Sequence, residues 1–127
     1  MRTSLVRDRS ESGSGTVLTV VLVGAMVILL PAVLALYSAY ASTQRARAAA
    51  DLGAIAAVSA FFDGQDAATA CRRAAAIMTD NRASPAGCFI TPDGQALVST
   101  RVSVRLPIVG ERTARGTARA GPVLTRR

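Results

Sequence analysis

Cys71 and Cys88 are the only thiols in a chain of 127 residues that has no histidine. Two sulfurs without imidazole make a poor metal set, because zinc sites usually take four N or S ligands. A disulfide suits the pair better: closing a loop of this length stabilises a small domain by about 3 kcal/mol in the chain-entropy model. It would also place that domain outside a reducing cytosol. Two buried free thiols are the alternative. The other chemistry-bearing residues are dispersed. The carboxylates of Asp51, Asp63, Asp66, Asp80, Asp93 and Glu111 stand singly, so no pair is set up for acid and base work. No His is available as a general base. Neither a phosphate-binding glycine loop nor a serine nucleophile elbow is present; the SGSG run at 12–15 leads straight into an apolar stretch and reads as a flexible joint or processing site. No catalytic, cofactor-binding or metal-binding residue is assigned, and the chain is read as non-enzymatic, with no cofactor and no small-molecule substrate.

All 15 basic residues are Arg. From Ser42 onward twelve arginines face six carboxylates. Such a balance attracts anionic lipid, acidic polymers or nucleic acid, and equally it serves solubility. Few aromatics stand beside the strand arginines to stack bases, so nucleic acid is not the expected partner.

The element that must position everything else is Thr16 to Ala41, which carries no charge. As a helix it spans about 40 Å, against roughly 30 Å of bilayer hydrocarbon. It is predicted to be a transmembrane helix of a single-pass protein. Pro31 lies inside it and is expected to kink it, since its nitrogen cannot donate to the Val27 carbonyl. Gly24 and Ala25, with Ala32 and Ala35, offer a small-residue side for close approach of a second helix. Gly24 and Pro31 are therefore candidate positions for helix assembly. The preceding residues 1–15 form a polar leader with Arg2, Arg7 and Arg9, while Arg45 and Arg47 follow the run. That bias favours a cytoplasmic N-terminus and an extracytoplasmic remainder, in agreement with the cysteine reading.

The helical pattern does not stop at Ala41. Ser42 to Phe62 is alanine-rich, lacks Pro, and carries Arg47 and Asp51 at i, i+4, two further candidates for helix assembly. One continuous helix of about 45 residues, near 70 Å, is expected. Small residues at 46, 49, 50, 53, 57 and 60 form one stripe, and Leu52, Ile55, Ser59 and Phe62 another. Such a surface calls for a cover. Asp63-Gly64 ends the helix. A second helix is expected from Gln65 to Asn81, then a loop over 82–87 containing Pro85 and Gly87. Cys88 to Ile90 reads as a short strand, Thr91 to Gly94 as a turn, and Gln95 to Leu106 as a long strand in which Val98, Thr100, Val102, Val104 and Leu106 alternate with polar residues. A third strand is expected over Thr113 to Ala120. The fold class is thus membrane-anchored α+β: a long N-terminal helix, a second helix and a small antiparallel sheet of about three strands. The expected division is leader 1–15, transmembrane helix 16–41, extracytoplasmic domain 42–121 and basic tail 122–127.

The run from Arg45 to Phe62 resembles pilin-type proteins of the Flp/Tad class and, more narrowly, the TadE-like family of high-GC Gram-positive bacteria, often encoded near a helicase and a secretion apparatus. The resemblance is carried by the junction Gly13 to Val17, the run Ala48 to Leu52, the alternating valine strand and Ala118 to Val123. It implies a pilin-like fold and a membrane-anchored minor pilin or pseudopilin of a Tad-like pilus or secretion machine, with other pilin-like or secretion-apparatus subunits as partners. Related prepilins are cut after a small residue, which makes Gly13 and Gly15 candidate processing positions. In those proteins a Glu follows at the fifth mature position; here that position holds Leu18 or Val20. Two alternatives stand beside this. Ala39-Tyr40-Ala41 fits a small-x-small signal-peptide site, so that cleavage after Ala41 would release a small exported protein. A membrane-tethered module that binds acidic polymers or DNA through the arginine strands is the other.

Overall fold

In a computed structural model the described residues, 13–107 and 109–122, form two helices and one sheet. Most of the expected leader (1–12) and tail (123–127) lies outside them. The elements run α1 (Ser14–Phe62), α2 (Ala67–Asp80), β1 (Ser84–Ile90), β2 (Ala96–Leu106) and β3 (Gly110–Ala120). The chain divides into two compact units, one ending at Ala35 and one beginning at Leu36, and α1 contributes to both.

In the first unit α1 is alone. Its first turn is fixed by Thr16 Oγ1 donating to the Gly13 carbonyl (3.0 Å) and Thr19 Oγ1 donating to the Gly15 carbonyl (2.9 Å). The helix runs on through Pro31. It is long and apolar enough to cross a membrane, and none of its most apolar 18-residue window is buried. Its Leu, Val, Ile and Met side chains are exposed all round it.

In the second unit the sheet is an antiparallel meander in the order β1-β2-β3. Alternation along β2 sorts its faces as expected: Ala96, Val98, Thr100 and Val102 are buried and Leu97, Arg101, Ser103 and Arg105 are exposed. The buried face covers α1 and α2. Ala50, Ala54 and Ala57 of α1 meet Ala74 and Met78 of α2 and Ala96, Val98 and Ala118 of the sheet. A second cluster joins Ala46 and Ala49 to Ala83 and Val102. This core is built from small side chains, with Met78, Val98 and Thr100 the largest that are fully buried. Small residues bring backbones close: a Cβ on Gly53 would stand 2.9 Å from Met78 Cγ. Where β2 and β3 pair Thr100 with Gly116, Thr100 Oγ1 donates to the Ala46 carbonyl at 2.7 Å, and Gly116 has no room for a Cβ beneath that same carbonyl.

Both helices end in the same hydrogen-bond pattern with different residues. After α1, Gly64 is left-handed (φ 88°), Gln65 N–H donates to Ala60 and Gly64 N–H to Phe61. After α2 the left-handed position is Arg82 (φ 58°), with Ala83 N–H donating to Met78 and Arg82 N–H to Thr79. A Cβ in that conformation costs roughly 1 kcal/mol, which glycine avoids. Arg82→Gly is therefore expected to stabilise this unit by up to about 1 kcal/mol, read as a higher denaturant midpoint at unchanged slope. At the start of α2, Asp66 takes the N-cap position without a capping hydrogen bond from its side chain. The Thr69 side chain beside it holds its carboxyl below the usual range. A carboxyl lowered on folding favours the fold above its unfolded value and loses that contribution as pH falls through the folded one; at this exposed position the contribution is small.

Three expected boundaries are corrected. The segment expected as a loop over 82–87 is mostly strand: β1 starts at Ser84, with a register irregularity between Pro85 and Gly87. Proline is accepted there because β1 is an edge strand and a bulge relaxes the ladder. The third strand starts at Gly110 rather than Thr113, because pairing of Leu106 with Gly110 and Arg105 with Glu111 extends the ladder through residues with no apolar pattern. The second helix is shorter at both ends than 65–81, because Gln65 and Asp66 complete the α1 end and the N-cap.

Candidate functional site

The two cysteines are brought together. A disulfide joins Cys71 of α2 to Cys88 of β1, with Cα atoms 5.8 Å apart, and so pins the second helix to the edge of the sheet. Cys71 falls on the helix side that carries Ala70, Ala74 and Met78, and Cys88 opposes Val98 across the ladder. Among the described residues no group of three or more His, Cys, Asp or Glu is gathered as metal ligands would be.

The remaining singled-out residues lie along α1 and are not clustered. Gly13 is exposed immediately before the helix, and its carbonyl accepts from both Thr16 Oγ1 and Val17 N–H; Gly15 is exposed in the first turn. Gly24 faces open space, with nothing within 4 Å of an added Cβ, and Pro31 is exposed. A small, open side is what a closely approaching helix requires. Ala41 is half-buried in unbroken helix, where the Ala39 carbonyl accepts from Ser42 Oγ (2.8 Å) and Thr43 Oγ1 (3.1 Å). Arg47 and Asp51 are exposed.

The two stripes expected on the outer part of α1 meet different fates. The small one is covered: Ala46, Ala49, Ala50, Gly53, Ala57 and Ala60 are all buried. The large one is not: Leu52, Ile55 and Phe62 are 46%, 57% and 61% exposed. The sheet accepts the side on which backbones can approach, so the bulky side is left outward. Sequence reasoning missed the contact of Ala46 with Thr100 and Gly116. Its only trace was a hydroxyl at an inward position of β2 and a glycine at an inward position of β3.

The exposed face of the sheet is the other surface of note. Arg101 and Arg115 are register partners and both exposed, with Arg119 and Arg105 further along the same face. No family model matches this chain, and no curated protein and no solved structure matches it.

Proposed function

We propose that the chain is a non-enzymatic, membrane-anchored minor pilin or pseudopilin-like subunit of a Tad-like pilus or secretion apparatus. One observation carries the reading: α1 is a single helix of 49 residues, apolar and exposed where it stands alone and covered on one side by a disulfide-pinned α+β layer beyond Leu36. About 20 residues suffice to cross a bilayer. An anchor needs no more, whereas a helix meant to pack beside others gains from the additional turns. The exposed Leu52, Ile55 and Phe62 are the apolar groups that such neighbours would cover. The arginine bias and the disulfide both favour a cytoplasmic N-terminus with the disulfide-bonded unit extracytoplasmic.

The test is contact in the native membrane. A photo-crosslinking residue at Ile55 is expected to give adducts with helices of other subunits. Gly24→Leu should reduce their yield several-fold while leaving the melting of the 36–127 unit unchanged, because the added side chain meets nothing in its own chain. Adducts to lipid alone contradict the reading, and an undiminished yield from Gly24→Leu contradicts the role given to that position.

A further inference from the structure

We propose that the exposed face of the three-stranded sheet binds single-stranded nucleic acid, with arginines on the phosphates and Phe89 under a base. Strand register, rather than sequence spacing, assembles this surface. Phe89 opposes Leu97, which opposes Arg119; Gly87 opposes Ser99, which opposes Thr117; in the next row Arg101 opposes Arg115. Rows on one face recur about every 7 Å along the strands. The face thus offers an aromatic ring, then hydroxyls, then a pair of guanidinium groups in line.

Three observations point to a ligand of this chemistry. First, like charges directly opposite in a ladder are destabilising. The Arg101 and Arg115 pair has hydroxyl rows on both sides, Ser99 with Thr117 and Ser103 with Thr113, and no carboxylate in either. Glu111 stands two rows away, opposite Arg105. An anion from outside is what complements the central pair, and guanidinium forks match phosphate oxygens. Second, Phe89 is 62% exposed on this same face, whereas Val98 and Thr100 on the opposite face are buried. A ring left in water on the same face as arginines is a platform on which a base stacks. Third, the surface is grooved. A hollow of about 320 Å³ is lined in part by Gly87, Phe89, Leu97 and Ser99, and another of about 160 Å³ by Arg101 and Arg115; both are bordered by Ser99 and Thr117, so they adjoin. Gly87 keeps the floor low, since a Cβ there would stand 2.8 Å from Ser99 Oγ. A lipid surface or a ring-free phosphate polymer would use the arginines but has no base for Phe89.

The experiment uses the full chain in a non-ionic detergent and measures binding of a fluorescent 20-nucleotide single-stranded DNA, inorganic polyphosphate, and vesicles containing anionic lipid. Single-stranded DNA is expected to bind, with affinity falling as salt rises and a shallower salt dependence in Arg101→Ser/Arg115→Ser. Phe89→Ala should weaken DNA binding about tenfold and leave polyphosphate binding unchanged. Arg72→Ser/Arg73→Ser removes two exposed arginines from α2 and should change DNA affinity less than the sheet pair does. The proposal is overturned if the two double variants weaken binding equally, if Phe89→Ala binds DNA as wild type does, or if only vesicles or polyphosphate are bound. All these side chains are exposed, and unchanged far-UV circular dichroism confirms that each variant is folded.

Discussion

Gly116→Val is expected to destabilise the 36–127 unit by about 3 kcal/mol or more, enough to leave much of it unfolded at 37 °C. Gly116 is buried in β3, and a Cβ there would run into the Ala46 carbonyl and come within 2.7 Å of the Arg47 nitrogen. Overpacking a core costs typically 1–3 kcal/mol when side chains can turn aside. Here the obstacle is helix backbone, which cannot rotate away, so α1 must lift off the sheet. Lifting it also breaks the hydrogen bond from Thr100 to Ala46, worth about 1 kcal/mol, and opens the contacts of Ala49 and Val102 beside it. Domains of this size hold roughly 5–14 kcal/mol in all. Thermal or denaturant unfolding of the full chain, followed by far-UV circular dichroism, reads the effect. A midpoint shift worth less than about 0.5 kcal/mol would show that α1 does not rest on the Thr100 and Gly116 pair.

Loss of the disulfide is expected to cost about as much. Cys71 and Cys88 are separated by 17 positions, and the chain-entropy model gives about 3 kcal/mol for a loop of that length. Beside the bridge, α2 is held by three fully buried side chains, of which only Met78 is large: Ala70, Ala74 and Met78. Alanine burial contributes far less than burial of Leu or Phe, so a helix of such composition depends on its covalent tie. Unfolding with and without reductant provides the measurement, beside Cys71→Ser/Cys88→Ser. Reductant should lower the wild-type stability to that of the double variant and leave the variant unchanged. Equal stability of oxidised and reduced wild type would contradict the role assigned to the bridge.

Much of the architecture was legible because local signals and tertiary demands coincide. The helix from Ser14 to Phe62 needs no tertiary information: an apolar run passes into an alanine-rich one with no proline after Pro31 and stops at Asp63-Gly64. The faces of β2 follow from strict alternation. The misread segments are those whose conformation is imposed by a neighbour. Pro85 and Gly87 look like a turn in isolation, yet the edge of β2 draws them into a bulged strand. Gly110, Glu111 and Arg112 have no strand character of their own and are extended only because they pair with Leu106, Arg105 and Val104. Arg82 takes a left-handed conformation that its side chain disfavours, because Ala83 must enter the core. For the site residues, the pairing of Cys71 with Cys88 could be read from their count, whereas the placement of Phe89 on the same sheet face as the arginines depends on register and could not.

Both anchoring and assembly require that α1 is kept whole in the mature protein. A cut after Ala41 would divide a continuous helix next to buried Ser42, and would remove Ala39 and its carbonyl from the hydroxyls of Ser42 and Thr43. The direct measurement is the N-terminal residue of the mature chain together with its distribution between membrane and medium. The expected result is a membrane-bound chain that retains Thr16 to Ala41, either intact or beginning just after Gly13 or Gly15. A chain that begins at Ser42 and is found in the medium would contradict the account.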